Sequence, residues 1–219
     1  MIIDEKFIFS KPIKKQSESL AREILREFNL LHFANLKMCD KPDLKEFKNS
    51  IGIEVTMLST IKDSQYVMGV YNKVLKGEIK KNDFLDKFKN VYFVYDDKNQ
   101  IIGLEFELLN QIENLIMETL NKKTKKLNNK NELSYQYFDH YQLFIHIDVW
   151  NQNETKRKFI NLLNDYKTQN QKSYEVVYIY DNFHHILNVF DLKNKIEDSI
   201  KFSVNKHEEL YSKAKKVIR

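Results

Sequence analysis

Residues 51–58 read IGIEVTML, and one residue in that run is out of keeping with the rest. Ile51, Ile53, Val55 and Met57 alternate as one apolar face of a strand does, because successive side chains point to opposite sides. Gly52, Glu54 and Thr56 share the other side, so a carboxylate stands in the most β-prone segment of the chain. Asp43 follows Pro42 in KPDL, where it would begin the neighbouring strand, with KEFKNS turning between. Two antiparallel neighbours would bring Asp43 and Glu54 within reach of one cation. Two carboxylates and an open coordination sphere suit Mg²⁺ or Mn²⁺, since Mg²⁺ takes few protein oxygens and keeps several waters. Such an ion neutralises a phosphate and lowers the pKa of an attacking water. Glu18 or Glu23, on the first helix, supplies a third acid. Glu18 is preferred because it precedes the apolar stripe, although helical phase does not decide between them.

Each of these residues also has an ordinary reading. Glu54 would pair with a lysine across a sheet face. Asp43 after Pro42 would be a turn residue or a cap for LKEFKN. His146 and Asp148 share a strand face and His184–His185 lie in a turn, but one cysteine and no His-x₃-His spacing argue against zinc. Cys39 reads as a small buried hydrophobe. The lysines of 122–130 read as a solvated helix end before they read as a phosphate track. The aromatic runs VYFVY and YEVVYIY read as sheet packing before base stacking. Four scattered glycines cannot build a phosphate loop.

The elements that must position the two acids follow from periodicity. A helix is predicted over 17–31, with Leu20, Ile24, Phe28 and Leu31 at three-to-four spacing and Ser17 or Ser19 as the cap. A weak strand covers 33–39 and a confident one 51–58. A helix follows over 63–75, then a polar, partly helical stretch, then a hairpin over 91–106 around DDKNQ. A helix over about 106–127 has acids early and lysines late, as the helix dipole favours. Next come a strand at 141–150, a helix in ETKRKFINLLNDYK and a hairpin joining 174–180 to 185–192. SIKFS adds a short strand, and the tail from Lys206 is helical, with Asn205 and Glu208 as a capping box. Helices and strands mix throughout, which predicts an α/β or α+β domain with a mixed central sheet flanked by helices.

The chain has 219 residues, 42% of them hydrophobic, enough to bury a core and exclude a disordered tail. A net charge of +5 from 36 basic and 31 acidic residues is compatible with nucleic acid without specifying it. One cysteine leaves no intrachain disulfide and suits a reducing cytoplasm. The first residues lack a basic region followed by a long apolar one, and no apolar run approaches 18 residues, so neither a signal peptide nor a membrane partner is expected.

KPDL followed by IGIEVT resembles the PD-(D/E)XK nuclease superfamily, with its restriction-endonuclease-like fold. The whole chain more loosely resembles a group of small bacterial proteins carrying PD…IGIEVT. The resemblance covers roughly residues 15–106 and implies an opening helix, a three-stranded meander, a helix and a further strand. It implies a core over 1–106 and a helix and hairpin extension over 107–219, packed as one globular unit. By resemblance, Asp43, Glu54 and the Val55 carbonyl hold Mg²⁺ or Mn²⁺, Glu18 or Glu23 assists, and DNA, with RNA second, is hydrolysed. Such proteins serve in defence, repair or mobile elements. The family's lysine two residues after the glutamate is Thr56 here, with Lys45, Lys48, Lys62 and Lys73 as substitutes. The alternative is a non-catalytic binding or assembly module, with residues 107–219 forming a homodimer or partner surface.

Overall fold

The computed structural model describes residues 2–3, 14–58, 64–88, 91–106, 112–129, 138–147, 163, 166 and 172–217. The described helices are α1 (Lys14–Phe28), α2 (Leu30–Phe33), α3 (Ser64–Leu75), α4 (Lys81–Lys87), α5 (Ile112–Leu127) and α6 (Val204–Lys216). The strands are β1 (Ile2–Ile3), β2 (Lys37–Met38), β3 (Leu44–Glu46), β4 (Ile51–Leu58), β5 (Val91–Tyr95), β6 (Ile101–Phe106), β7 (His140–Ile147), β8 (Val176–Asp181), β9 (Ile186–Asp191) and β10 (Ile196–Lys201). The expected helix in ETKRKFINLLNDYK lies outside the described residues, except for Leu163 and Tyr166, which are helical and buried. Lys62, Asp148 and the 107–111 start of the expected fifth helix also lie outside them.

The chain divides into two compact units, residues 1–12 with 59–110, and residues 13–58 with 111–219. That division differs from a boundary at residue 106. The first unit enters between β4 and α5, and the larger unit draws strands from both halves of the sequence. The smaller unit has a three-stranded sheet in the order β1-β6-β5. Its core joins Val70, Tyr71 and Val74 of α3 to Phe84 and Val91.

The larger unit is mixed α/β. Its seven strands run in the order β10-β9-β8-β7-β4-β3-β2. β4, β7 and β8 are parallel neighbours, and β2, β3, β9 and β10 add antiparallel. The parallel strands occupy the middle, where both faces are covered, and each carries apolar residues on both. Ile51, Ile53, Val55, Phe144 and Tyr178 meet Leu20, Ala21, Ile24 and Leu25 of α1 and Leu210 and Ala214 of α6. Tyr141, Leu143, Ile145, Val177 and Ile179 meet Ile112, Ile116 and Leu120 of α5 on the other face. Fully burying one such leucine or isoleucine contributes about 1.5–3 kcal/mol, so the α1 stripe alone fixes that helix on the sheet.

The tail helix begins earlier than its sequence predicts. Ser203 is the cap, its hydroxyl accepting from the Lys206 amide at 3.2 Å, so Asn205 and Glu208 form no capping box. The ladder of β10 runs to Lys201, which leaves Ser203 extended and ready to receive the first free amides. The expected strand at 33–39 is reduced to Lys37–Met38, because Leu30–Phe33 closes a short helix capped by Asn29. Among the described residues no helix is long and apolar enough to cross a membrane.

Candidate metal centre

β4 places its two residue sets as the alternation requires. Ile51, Ile53 and Val55 enter the core under α1, so Glu54 and Thr56 point to the α5 side. β3 runs antiparallel to β4 with Leu44 opposite Ile53 and Lys45 opposite Gly52. Continued by one residue, that register sets Asp43 opposite Glu54, on the same face of the sheet. Both side chains are buried, Asp43 at 4% exposure and Glu54 at 5%.

Burying two carboxylates side by side is costly unless each is hydrogen-bonded or paired. The Val55 amide donates to Asp43 Oδ2 at 2.8 Å. Lys123 Nζ donates to Glu54 Oε2 at 2.9 Å, reaching across from α5. The Lys123 side chain is 21% exposed and that of Glu54 7%, so the pair sits at the edge of the interior. Glu54 Oε1 makes no hydrogen bond among the described residues. Lys45 lies on the same face two residues beyond Asp43, at 8% exposure and 5.9 Å from the centre of the Phe138 ring. Lys48 is exposed in the β3–β4 turn, and Lys73 is exposed on α3 in the other unit.

Glu18 and Glu23 part company. Glu23 Oε1 takes Arg22 Nη2 at 2.6 Å and Arg26 Nη1 at 3.5 Å, an ion-pair cluster of α1 itself. Glu18 is buried at 6% near the start of α1, the helix that covers the face of β4 opposite Glu54. Among the described residues no group of three or more His, Cys, Asp and Glu side chains could hold a metal ion. Asp43 and Glu54 are the two carboxylates that the register sets on this face. That number fits Mg²⁺, which is commonly held by one or two carboxylates, with water completing its shell. Thr56, half-buried, lines the same face one step further along β4.

Gly52 explains how the acids come together. A Cβ built there would stand 2.7 Å from Pro42 Cγ, closer than real contacts allow, and a tight 3.1 Å from Phe138 Cδ2. Pro42 immediately precedes Asp43, so the missing side chain lets the carboxylate strand close over β4. Gly52→Ala is expected to cost about 1–3 kcal/mol, read as a lowered urea midpoint, because an overpacked ring must move. An unchanged midpoint would show that Pro42 yields freely.

Lys123 is the residue that sequence reasoning missed. It stands 69 positions from Glu54, in a lysine cluster that reads as a solvated helix end. The available signal was phase: Ile116, Leu120 and Lys123 lie at three-to-four spacing on one side of α5. Comparison of the chain with protein-family models, with curated proteins and with solved structures gave no match.

Proposed function

We propose that the chain is a metal-dependent nuclease of the PD-(D/E)XK type that hydrolyses phosphodiester bonds in DNA, with RNA the second choice. The observation that carries this reading is Lys123 Nζ at 2.9 Å from Glu54, on the face Glu54 shares with Asp43. It puts a positive charge beside the acids where the motif itself offers only Thr56. The order of elements supports it too. An opening helix is followed by the antiparallel β2-β3-β4 meander, then α5, then β7 parallel to β4. The resemblance implies a helix and a further strand after the meander within 15–106; here α5 and β7 would fill those places beyond the intervening 59–110 segment.

Asp43, Glu54 and the Val55 carbonyl would hold Mg²⁺ or Mn²⁺, and the bound ion supplies phosphate neutralisation and an activated water. Asp43 is oriented for this by the Val55 amide, and Glu54 by Lys123. The Lys123 ammonium would lie beside the charge that develops on the phosphoryl oxygens in the transition state. Thr56 would offer a hydroxyl to the same oxygens, while Glu18, on the helix that covers the opposite face of β4, takes no part in this reading. The lone cysteine suits a reducing cytoplasm, and defence, repair or mobile elements are the settings the resemblance implies.

A second reading has its own observation. One oxygen of each acid is already held inside the protein, as in a closed structural pair. That favours a binding or assembly module, with residues 107–219 as a dimer or partner surface. The deciding experiment incubates purified protein with linear and circular DNA, single strands and RNA, in Mg²⁺ or Mn²⁺. Asp43→Asn and Glu54→Gln serve as controls. Metal-dependent cutting lost in both variants is the expected result. A folded wild-type protein that cuts none of these substrates would turn the assignment to the binding module.

A further inference from the structure

The other face of the large sheet carries a separate feature. A cleft of about 720 Å³ opens there, lined by the α1–α2 junction and by β7, β8, β9 and β10. Its size is that of a small-molecule site. Phe28 and Phe33 each stand edge-on to Tyr178, with ring centroids 6.3 Å apart in both pairs. Gln142, only 5% exposed, also lines the cleft. Its Oε1 accepts from the Tyr178 hydroxyl at 3.1 Å, and its amide N–H groups have no partner among the described residues.

The Gln142 amide nitrogen thus offers its N–H groups to the cleft, where a ligand acceptor can take the place of water. Tyr178 fixes which end of the amide faces the cleft. Having donated its proton, the Tyr178 oxygen still accepts. Burial and the nearby Asp191 push its pKa up, so it stays a neutral hydroxyl. Donor and acceptor thus stand side by side against aromatic walls. The rim is charged differently from a phosphate site: Glu175, Asp191 and Asp198 face one lysine, Lys193. Glu175 Oε2 is 2.9 Å from His140 Nδ1 and 3.9 Å from Lys193 Nζ, so the two remaining carboxylates leave the rim net negative.

We propose that this cleft binds an uncharged nucleobase or the base of an unphosphorylated nucleoside. Nucleobases present an acceptor beside a donor on one edge, which pairs with Gln142 and the Tyr178 oxygen. Their flat faces suit the partly exposed Phe28 ring, which Tyr178 backs edge-on. The acidic rim admits a neutral ligand and repels a phosphorylated one. The site uses no residue of the Asp43–Glu54 pair and lies on the opposite face of the sheet, so it stands or falls independently of the nuclease reading.

The test titrates the full chain with adenosine, guanosine, cytidine and uridine, and with each 5′-monophosphate. It follows heat and the amide resonances of Phe28, His32 and Tyr178. At least one nucleoside is expected to bind saturably and move those resonances, with its monophosphate binding several-fold more weakly. Gln142→Met, which keeps the side-chain length, is expected to weaken binding about tenfold, the loss of one hydrogen bond of roughly 1.4 kcal/mol. Tyr178→Phe removes the acceptor and is expected to weaken binding similarly, so the claim remains testable if Gln142→Met fails to fold. No saturable nucleoside binding, wild-type affinity in a folded variant, or tighter binding of the monophosphates would each overturn the proposal.

Discussion

Lys123→Met is expected to lower metal-dependent DNA cleavage by about 10²- to 10³-fold, the usual loss when one preorganised charge is taken from a transition state. The loss should fall on kcat, with KM and DNA affinity nearly unchanged, because an ammonium already paired with Glu54 has little to offer a distant phosphate in the ground state. Metal affinity should not fall, since removing Lys123 releases Glu54 Oε2 for the cation. Lys123→Arg keeps the charge but spreads it over a planar fork, and is expected to recover part of the rate. A purely structural Lys123 predicts another pattern. Glu54 would be left buried without its partner, the melting temperature would drop, and kcat per folded molecule would hold. Rate and stability measured on the same two variants separate these outcomes.

The sequence carried most of β4 and little of its surroundings. Alternation over IGIEVTML assigned both faces, because a strand apolar on one side and carrying Gly52, Glu54 and Thr56 on the other leaves a period of two in the residues themselves. Asp43 was legible because only the short β3–β4 turn separates it from Glu54. The pairing of β4 with β7 was not, since residues 51–58 and 140–147 are joined in space by a parallel ladder that no local pattern announces. The intervening unit hid it further: residues 59–110 fold on their own core, so the meander and the next strand of the sheet are far apart in sequence. The same distance hid Lys123. Its own helix marks it only as a flanking position, and its role appears once α5 lies against the Glu54 face. Glu18 and Glu23 were inseparable by phase, yet a cluster with Arg22 and Arg26 occupies Glu23 and leaves Glu18 the buried one.

A second large effect concerns acid. His146 lies at 2% exposure at the end of β7, with Nε2 donating to the Ser17 carbonyl at 2.9 Å. Burial lowers its pKa from 6.5 to about 4. His207 on α6 accepts from the Tyr180 hydroxyl at Nδ1, 2.7 Å away, and stacks on His185 at 4.1 Å. Burial first, then the nearby His185 and His146, brings its pKa to about 4 as well. Burial likewise lowers His185, against the opposing pull of Asp181 and with added repulsion from His184 and Lys201. Folded pKa values below the unfolded value mean that the unfolded chain binds protons the folded one refuses. Stability is therefore complete above about pH 6.5 and is lost as pH falls toward 4. For the fully buried His146 that window is worth roughly 3 kcal/mol, and the partly enclosed His207 adds less. The urea midpoint at pH 5 is accordingly expected to lie well below that at pH 7.5. His146→Gln places an amide nitrogen where Nε2 donates, cannot titrate, and is expected to flatten that slope even if it costs stability at neutral pH. Because His146 ties the start of α1 to the sheet and His207 ties α6 to Tyr180, protonation attacks the two helices that cover one face of the large sheet. An identical slope in wild type and His146→Gln would place the acid sensitivity in the carboxylates instead.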